Sequence, residues 1–181
     1  MKGKLLTLKE ARATEAFYWS NSYTRMGAVM DLVDQMRFTT WLRLLGETWS
    51  SFDNVWEFRY ELQEMLLWCA NCREMMTPKE RHILATLPDL ITIYRGCGPE
   101  NADGICWSLD RDVAAAFPFK GRYLAAEPML VTATVSRDEV IAYKNDREEQ
   151  EIITFSAIPL AVAALSARTD LHGSSEGLVA A

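Results

Sequence analysis

Three short fragments of the chain combine residue types that could act together: Arg95-Gly96 in Thr92-Ile93-Tyr94-Arg95-Gly96, Ser108 in Cys106-Trp107-Ser108-Leu109-Asp110, and Glu149-Gln150-Glu151. An arginine's planar fork meets phosphate or carboxylate through two parallel hydrogen bonds, which a lysine cannot do. The glycine after it has no side chain, so another group can come close to the backbone there. Two acids two residues apart on an extended segment share one face, about 7 Å apart, and can address one site together. A carboxylate fixed beside a sugar stabilises the positive charge that develops when a glycosidic bond breaks, while a second acid positions or deprotonates the incoming nucleophile. Taken singly, each fragment also has a plainer reading. Residues 147–151 fit a solvated acidic start of a strand, and Arg95 fits a strand-end arginine in a surface ion pair.

Such fragments need elements to bring them together, and the pattern supplies two kinds. Up to Pro88 the chain reads as helix. Thr7 with Glu10 three residues on makes a capping box that opens a first helix reaching about Tyr23. Apolar residues at Met26, Val29, Met30, Val33, Met36, Trp41, Leu44 and Leu45 follow a period near 3.6, which predicts one helix over 26–45 stopped by Gly46. Residues 53–72 make a third, with Trp56, Tyr60, Leu62, Leu66 and Leu67 as its stripe. Thr77-Pro78-Lys79-Glu80 caps a fourth that ends before Leu87-Pro88. Trp19, Trp41, Trp49, Trp56 and Trp68 fall in this block and read mainly as packing rings, with one or two left to wall a pocket.

From Asp89 the pattern turns extended. Runs rich in Ile, Val, Thr and aromatics predict strands over 90–94, 105–109, 129–135, 140–143 and 151–155. One helix interrupts them over 110–117, with Asp110 as its cap, an acidic first turn and Pro118 at its end. Residues 158–165 fit a last strand or a buried helix, which periodicity does not distinguish. The fold class expected is α+β, with a helical subdomain over 1–88 packed on a β-rich core over 89–167, followed by a flexible tail over 168–181.

The 181 residues are 49% hydrophobic and 24% charged, which suits one packed domain and excludes a disordered chain, a collagen and a coiled-coil rod. With 25 acidic against 19 basic side chains, the net charge of −6 argues against general nucleic-acid binding or adhesion to an anionic membrane. No stretch reaches the ~18–20 uncharged apolar residues of a membrane helix, and the apolar patch over 5–8 is too short for a secretory core, so a cytoplasmic location is expected. Cys69, Cys72, Cys97 and Cys106 then read as thiols. The Cys69/Cys72 spacing is that of a redox pair, but the preceding residues read as helix, which places Cys69 at a C-terminal end where the dipole does not lower a thiol pKa. A zinc site would need Cys97 and Cys106 brought to that pair, and no metal is expected. The P-loop, Gly-x-Gly-x-x-Gly, serine-elbow and His-Glu-x-x-His patterns do not occur, and His82 and His172 are the only histidines that could act as a base.

In order, spacing and local structure the three fragments resemble the Arg–Ser–Glu class of mono-ADP-ribosyltransferases, over about residues 92–155. In that family an Arg-Gly ends a first strand, a Ser-x-Ser/Thr lies on a second strand before a short helix, and a Glu-x-Glu opens a later strand. The resemblance implies a split β-sandwich core with NAD as substrate. It implies that Glu151 is the catalytic carboxylate at the nicotinamide ribose, that Glu149 positions or deprotonates the nucleophile, and that Ser108 belongs to the same catalytic set. Arg95 would contact the two phosphates, Gly96 the nicotinamide amide through its main chain, and Phe117 the nicotinamide ring, with Tyr94, Cys106 and Trp107 completing the NAD-binding set. Cys106 stands where the family has its first serine, which braces the catalytic glutamate. A thiol is a weaker donor, so either Ser108 takes the brace over or the brace is poorer. A glutamate two residues before the catalytic one goes, in the family, with arginine as the modified side chain. The implied partner is therefore a macromolecular target, an arginine of a protein, met by the loop over 144–148. The alternatives are an NAD glycohydrolase on the same scaffold, with water as nucleophile, and a non-catalytic inhibitor or interaction protein with a degenerate transferase fold. The small size and the lack of a leader or translocation segment suit a phage or bacterial effector acting in the cytoplasm of the producing or infected cell.

Overall fold

The structure, a computed structural model, describes residues 4–166. The tail expected over 168–181, with His172, lies outside the described residues. Thr7 opens α1 (Leu8–Arg12) through the expected capping box: the Thr7 N–H donates to the Glu10 carboxylate at 2.8 Å and the Glu10 N–H to the Thr7 hydroxyl at 3.3 Å. That helix does not continue to Tyr23. The Thr14 hydroxyl donates to the Ala11 carbonyl at 2.8 Å, a local bond that competes with helix continuation, and a separate α2 (Glu15–Tyr18) follows.

The apolar run over 26–45 divides into α3 (Arg25–Met30) and α4 (Phe38–Thr48), because Val33–Gln35 form a single 3-10 turn and Met36 is extended. Both pieces still face one core, where the Trp41 indole N–H donates to the Val29 carbonyl at 2.8 Å. Gly46 does not end α4. The helix runs through it, and a β-carbon at this position would collide with the Met75 backbone, so the glycine is there for close packing. Helix α5 occupies only Arg59–Leu66, after a 3-10 turn at Val55–Phe58, and α6 (Pro78–Thr86) carries the expected Thr77/Glu80 capping box.

Beyond Pro88 come β1 (Leu90–Cys97), β2 (Cys106–Ser108), α7 (Arg111–Ala116), β3 (Met129–Ser136), β4 (Val140–Lys144), β5 (Glu151–Thr154) and β6 (Ile158–Ala164). Segment 158–165, open between strand and helix in the sequence, is therefore a strand. All six strands belong to one antiparallel sheet in the order β4-β5-β2-β1-β3-β6. The pairing is uneven. β1 and β3 pair all along their length, whereas β1 meets β2 at one pair, Tyr94 opposite Ser108. This narrow waist separates two wings, and the fragments singled out above converge on it.

Helices and an antiparallel sheet make this an α+β chain, and one hydrophobic core joins them. Trp41, Leu44, Leu45, Leu62 and Leu66 from the helices belong to the same buried cluster as Ile93, Val140, Ala142, Ile152 and Ile153 from the strands. Trp19 and Trp68, expected as packing rings, are instead 77% and 88% exposed, since α2 is one turn long and Trp68 follows the end of α5. Among the described residues no helix is long and apolar enough to cross a membrane.

Candidate active site

The waist of the sheet borders a cleft of about 200 Å³. Tyr94, Arg95 and Gly96 reach it from the end of β1, Cys106, Trp107 and Ser108 from β2, Phe117 from beyond α7, and Glu149 and Glu151 from the start of β5. The residues of the three fragments, with Phe117, thus line one space, which Cys69, Cys72 and His82 do not. The helical block closes the opposite wall with Trp49, Phe52, Asp53 and Trp56.

Arg95 is fixed by main-chain acceptors. Its Nε and Nη2 donate to the Asn101 carbonyl at 3.1 and 3.0 Å, and its Nη1 to the Cys106 carbonyl at 2.6 Å. Those bonds use three of the five N–H groups of a guanidinium, and among the described residues no acceptor is bonded to the other two. Gly104 makes the arrangement possible, because a β-carbon there would collide with the Arg95 guanidinium. Gly96 likewise permits a close approach, and the group that takes it is the Ala114 carbonyl of α7, packed over β1. Phe117 lies 5.6 Å from the Tyr123 ring, and the Lys120 ammonium sits 4.3 Å above Phe117.

Glu151 is held from both halves of the chain. The Trp49 indole N–H donates to its Oε1 at 3.0 Å, across 102 residues of sequence. Burial raises the Glu151 carboxyl above its ordinary value. The Trp49 N–H, hydrogen-bonded to it, and then the neighbouring Cys106 thiol pull it down, the Glu149 charge adds to the rise, and Lys144 opposes it. Cys106 is itself pushed well above the ordinary thiol value, first by burial and then by the negative charge of Glu151, so at neutral pH it is a protonated donor. The position that carries serine in the resembled family therefore holds a protonated thiol here.

Ser108 does not take over that brace. Its hydroxyl donates to the Glu149 carbonyl at 2.7 Å and accepts from the Asp110 N–H at 2.9 Å, which fixes the main chain entering β5 and starts α7. Strand periodicity does not position Glu149 either. β5 begins at Glu151, and Glu148 and Gln150 have left-handed φ values of 58° and 46°, so Glu149 reaches the cleft on a tight turn. The turn is tied down twice: the Gln150 N–H donates to the Asn145 side-chain oxygen at 3.0 Å, and the Gln150 carbonyl accepts from the Leu109 N–H at 3.0 Å. Behind it, Lys144 and Glu80 form a buried ion pair at 3.0 Å, and the same carboxylate accepts from the Asn145 N–H at 3.3 Å.

Trp49 and the Asn101 carbonyl carry no local signal in the sequence. The first sits in a helical apolar pattern, and the second is a main-chain group that any residue supplies. The four cysteines form no disulfide. Burial raises Cys69 and Cys97 above the ordinary thiol value and Cys72 to about 11. Among the described residues no group of three or more His, Cys, Asp or Glu side chains gathers that could hold a metal ion. Comparison of the chain with protein-family models, with curated proteins and with solved structures returned no match.

Proposed function

We propose that the chain is an NAD-dependent mono-ADP-ribosyltransferase that modifies an arginine of a target protein, and that the waist of its sheet is the split of that family's β-sandwich. One observation carries the reading: Arg95, Cys106, Ser108, Glu149 and Glu151, from three fragments far apart in sequence, line one cleft. The nicotinamide ribose lies against Glu151. Its glycosidic C–N bond breaks, the electron pair leaves with nicotinamide, and the positive charge left on the ribose is stabilised by the Glu151 carboxylate. Glu149 takes the proton from the acceptor guanidinium as the acceptor nitrogen forms the new bond to the ribose carbon. The two unspent N–H groups of Arg95 serve the phosphates. A cleft of about 200 Å³ is smaller than the roughly 300–1,000 Å³ that encloses a drug-sized ligand, so it takes the nicotinamide-ribose end while the rest of the dinucleotide extends outward.

The test is incubation of the purified chain with radiolabelled NAD and a cell lysate. Transfer predicts labelled protein that disappears with Glu151→Gln. Free ADP-ribose with no labelled macromolecule would replace transfer by hydrolysis, and neither product at millimolar NAD would leave a non-catalytic protein.

A further inference from the structure

Glu151 stands at the first residue of β5, opposite Ser108 of β2 on one side and Lys144 of β4 on the other, so the ladder fixes its main chain but not the direction of its carboxylate. Of these two partners, Ser108 spends its hydroxyl on the Glu149 carbonyl and the Asp110 N–H, and the Lys144 ammonium pairs with Glu80 and Asp146, neither of them bonding the carboxylate. The firm donor comes from elsewhere. Trp49 follows α4 in the helical block, is 2% exposed, packs edge-on against Phe52 at 6.1 Å, and places its indole N–H 3.0 Å from Glu151 Oε1. An indole has one donor, no acceptor and a large body locked by the core, so its N–H points in one direction. A carboxylate has two oxygens and about four acceptor directions, and Trp49 takes one of them.

We infer that Trp49 is a positioning residue, through which the helical block fixes the orientation of the Glu151 carboxylate and leaves its other acceptor directions to the cleft. This rests on the reading of Glu151 as the carboxylate that acts on the sugar. The groups that act on Glu151 besides Trp49 are Cys106 from β2, Glu149 from the turn and Lys144 from β4, while Asp53, Arg95 and Arg147 line the same cleft. Among the described residues, Trp49 is the side chain that donates a hydrogen bond to the carboxylate, and the core holds it. Removing its N–H loosens the rotamer and, because that bond favours the charged form, raises the pH at which Glu151 ionises.

The test reads the indole N–H signals of the ¹⁵N-labelled protein without NAD, so it stands whether or not the chain transfers ADP-ribose. Trp49→Phe identifies the Trp49 signal by its loss, and the other five indole signals, unmoved, show that the fold survives. The expected result is that the wild-type Trp49 signal shifts with pH through a single midpoint above the ordinary carboxylate value, and that Glu151→Gln flattens this titration. A Trp49 signal that is flat in wild type, or that titrates unchanged in Glu151→Gln, overturns the inference. In NAD turnover, Trp49→Phe is expected to lower kcat about tenfold with KM within about twofold, the scale of one lost hydrogen bond to a charged group, and to move the acidic limb of the pH profile upward. An active wild type matched by Trp49→Phe in kcat and pH profile would refute the role even if the titration were seen. An inactive wild type would fail the transferase reading alone, and the indole titration would then decide the contact by itself.

Discussion

The buried pair Lys144–Glu80 ties the helical block to the turn that carries Glu149, and its removal has a size that can be worked out. The side chains are 4% and 7% exposed and 3.0 Å apart. At that distance and an effective dielectric constant of about 20, the attraction alone is about 5 kcal/mol, offset in large part by the desolvation of both ions. Removing Lys144 leaves Glu80 buried without a cation, so Lys144→Met should lose about 3–5 kcal/mol, or about 6–20 °C in Tm for a domain of this size. Glu80→Leu leaves Lys144 with Asp146 at 3.6 Å but also breaks the Thr77/Glu80 cap of α6, and should lose a similar amount. The double variant, with neither charge, should lose less than either single one. Glu80 adds a pH signature. Burial on its own would raise its carboxyl, but the Thr77 N–H and then Lys144 outweigh that, and it ends below its ordinary value. A depressed carboxyl stabilises the fold above its unfolded value, and that stability is lost as pH falls through the folded one. Acid unfolding of the wild type should therefore steepen below about pH 4.5, and that component should vanish in the double variant. Urea titrations followed by circular dichroism give all four corners of the cycle. Single variants within 1 kcal/mol of wild type, or a double variant as unstable as the two losses added, would refute the reasoning.

Glu151→Gln should raise Tm at pH 8, because a carboxyl whose folded pKa is raised penalises the ionised fold above that value. The gain should shrink as pH falls through the ordinary carboxylate value and disappear well below it, where the wild-type group is protonated whether folded or not; a variant less stable than wild type at pH 8 would count against the burial argument. Gly46→Ala, which improves helix propensity on paper, should instead destabilise by about 1–3 kcal/mol in thermal melts, since the new methyl meets the Met75 backbone. NAD at 100 times its dissociation constant should stabilise wild type and Glu151→Gln by about 2.7 kcal/mol, while Arg95→Ala should lose most of that shift; equal shifts in all three would remove Arg95 from the binding set.

What could be read from the sequence was what is local in it. Both capping boxes lie within four residues and appear as expected, and so does the Asp110 cap, which accepts from the Asp112 and Val113 N–H groups at 2.8 and 3.1 Å. Gly46 reads as a helix stop because its reason to be glycine is a backbone 29 residues further on. The long helices expected over 7–23 and 26–45 fail for a related cause: an apolar period persists through a chain that turns, as at Val33–Gln35, provided each piece still faces the same core. Within the site, Arg95, Cys106 and Glu151 could be picked out because three short fragments resemble one family pattern in order and spacing, and each fragment falls near a strand end that borders the cleft. The route of Glu149 could not, since nothing in Glu148-Glu149-Gln150 announces two left-handed residues of ordinary type. Trp49 was hidden for the opposite reason, as a ring whose burial accounts for it fully until its N–H is followed to Glu151.

The most direct measurement is nicotinamide release from NAD by the purified chain, with and without an arginine-bearing acceptor protein. If Glu151 acts on the nicotinamide ribose, release is accelerated by the acceptor and abolished by Glu151→Gln while NAD still binds. Release by Glu151→Gln at the wild-type rate would contradict that role.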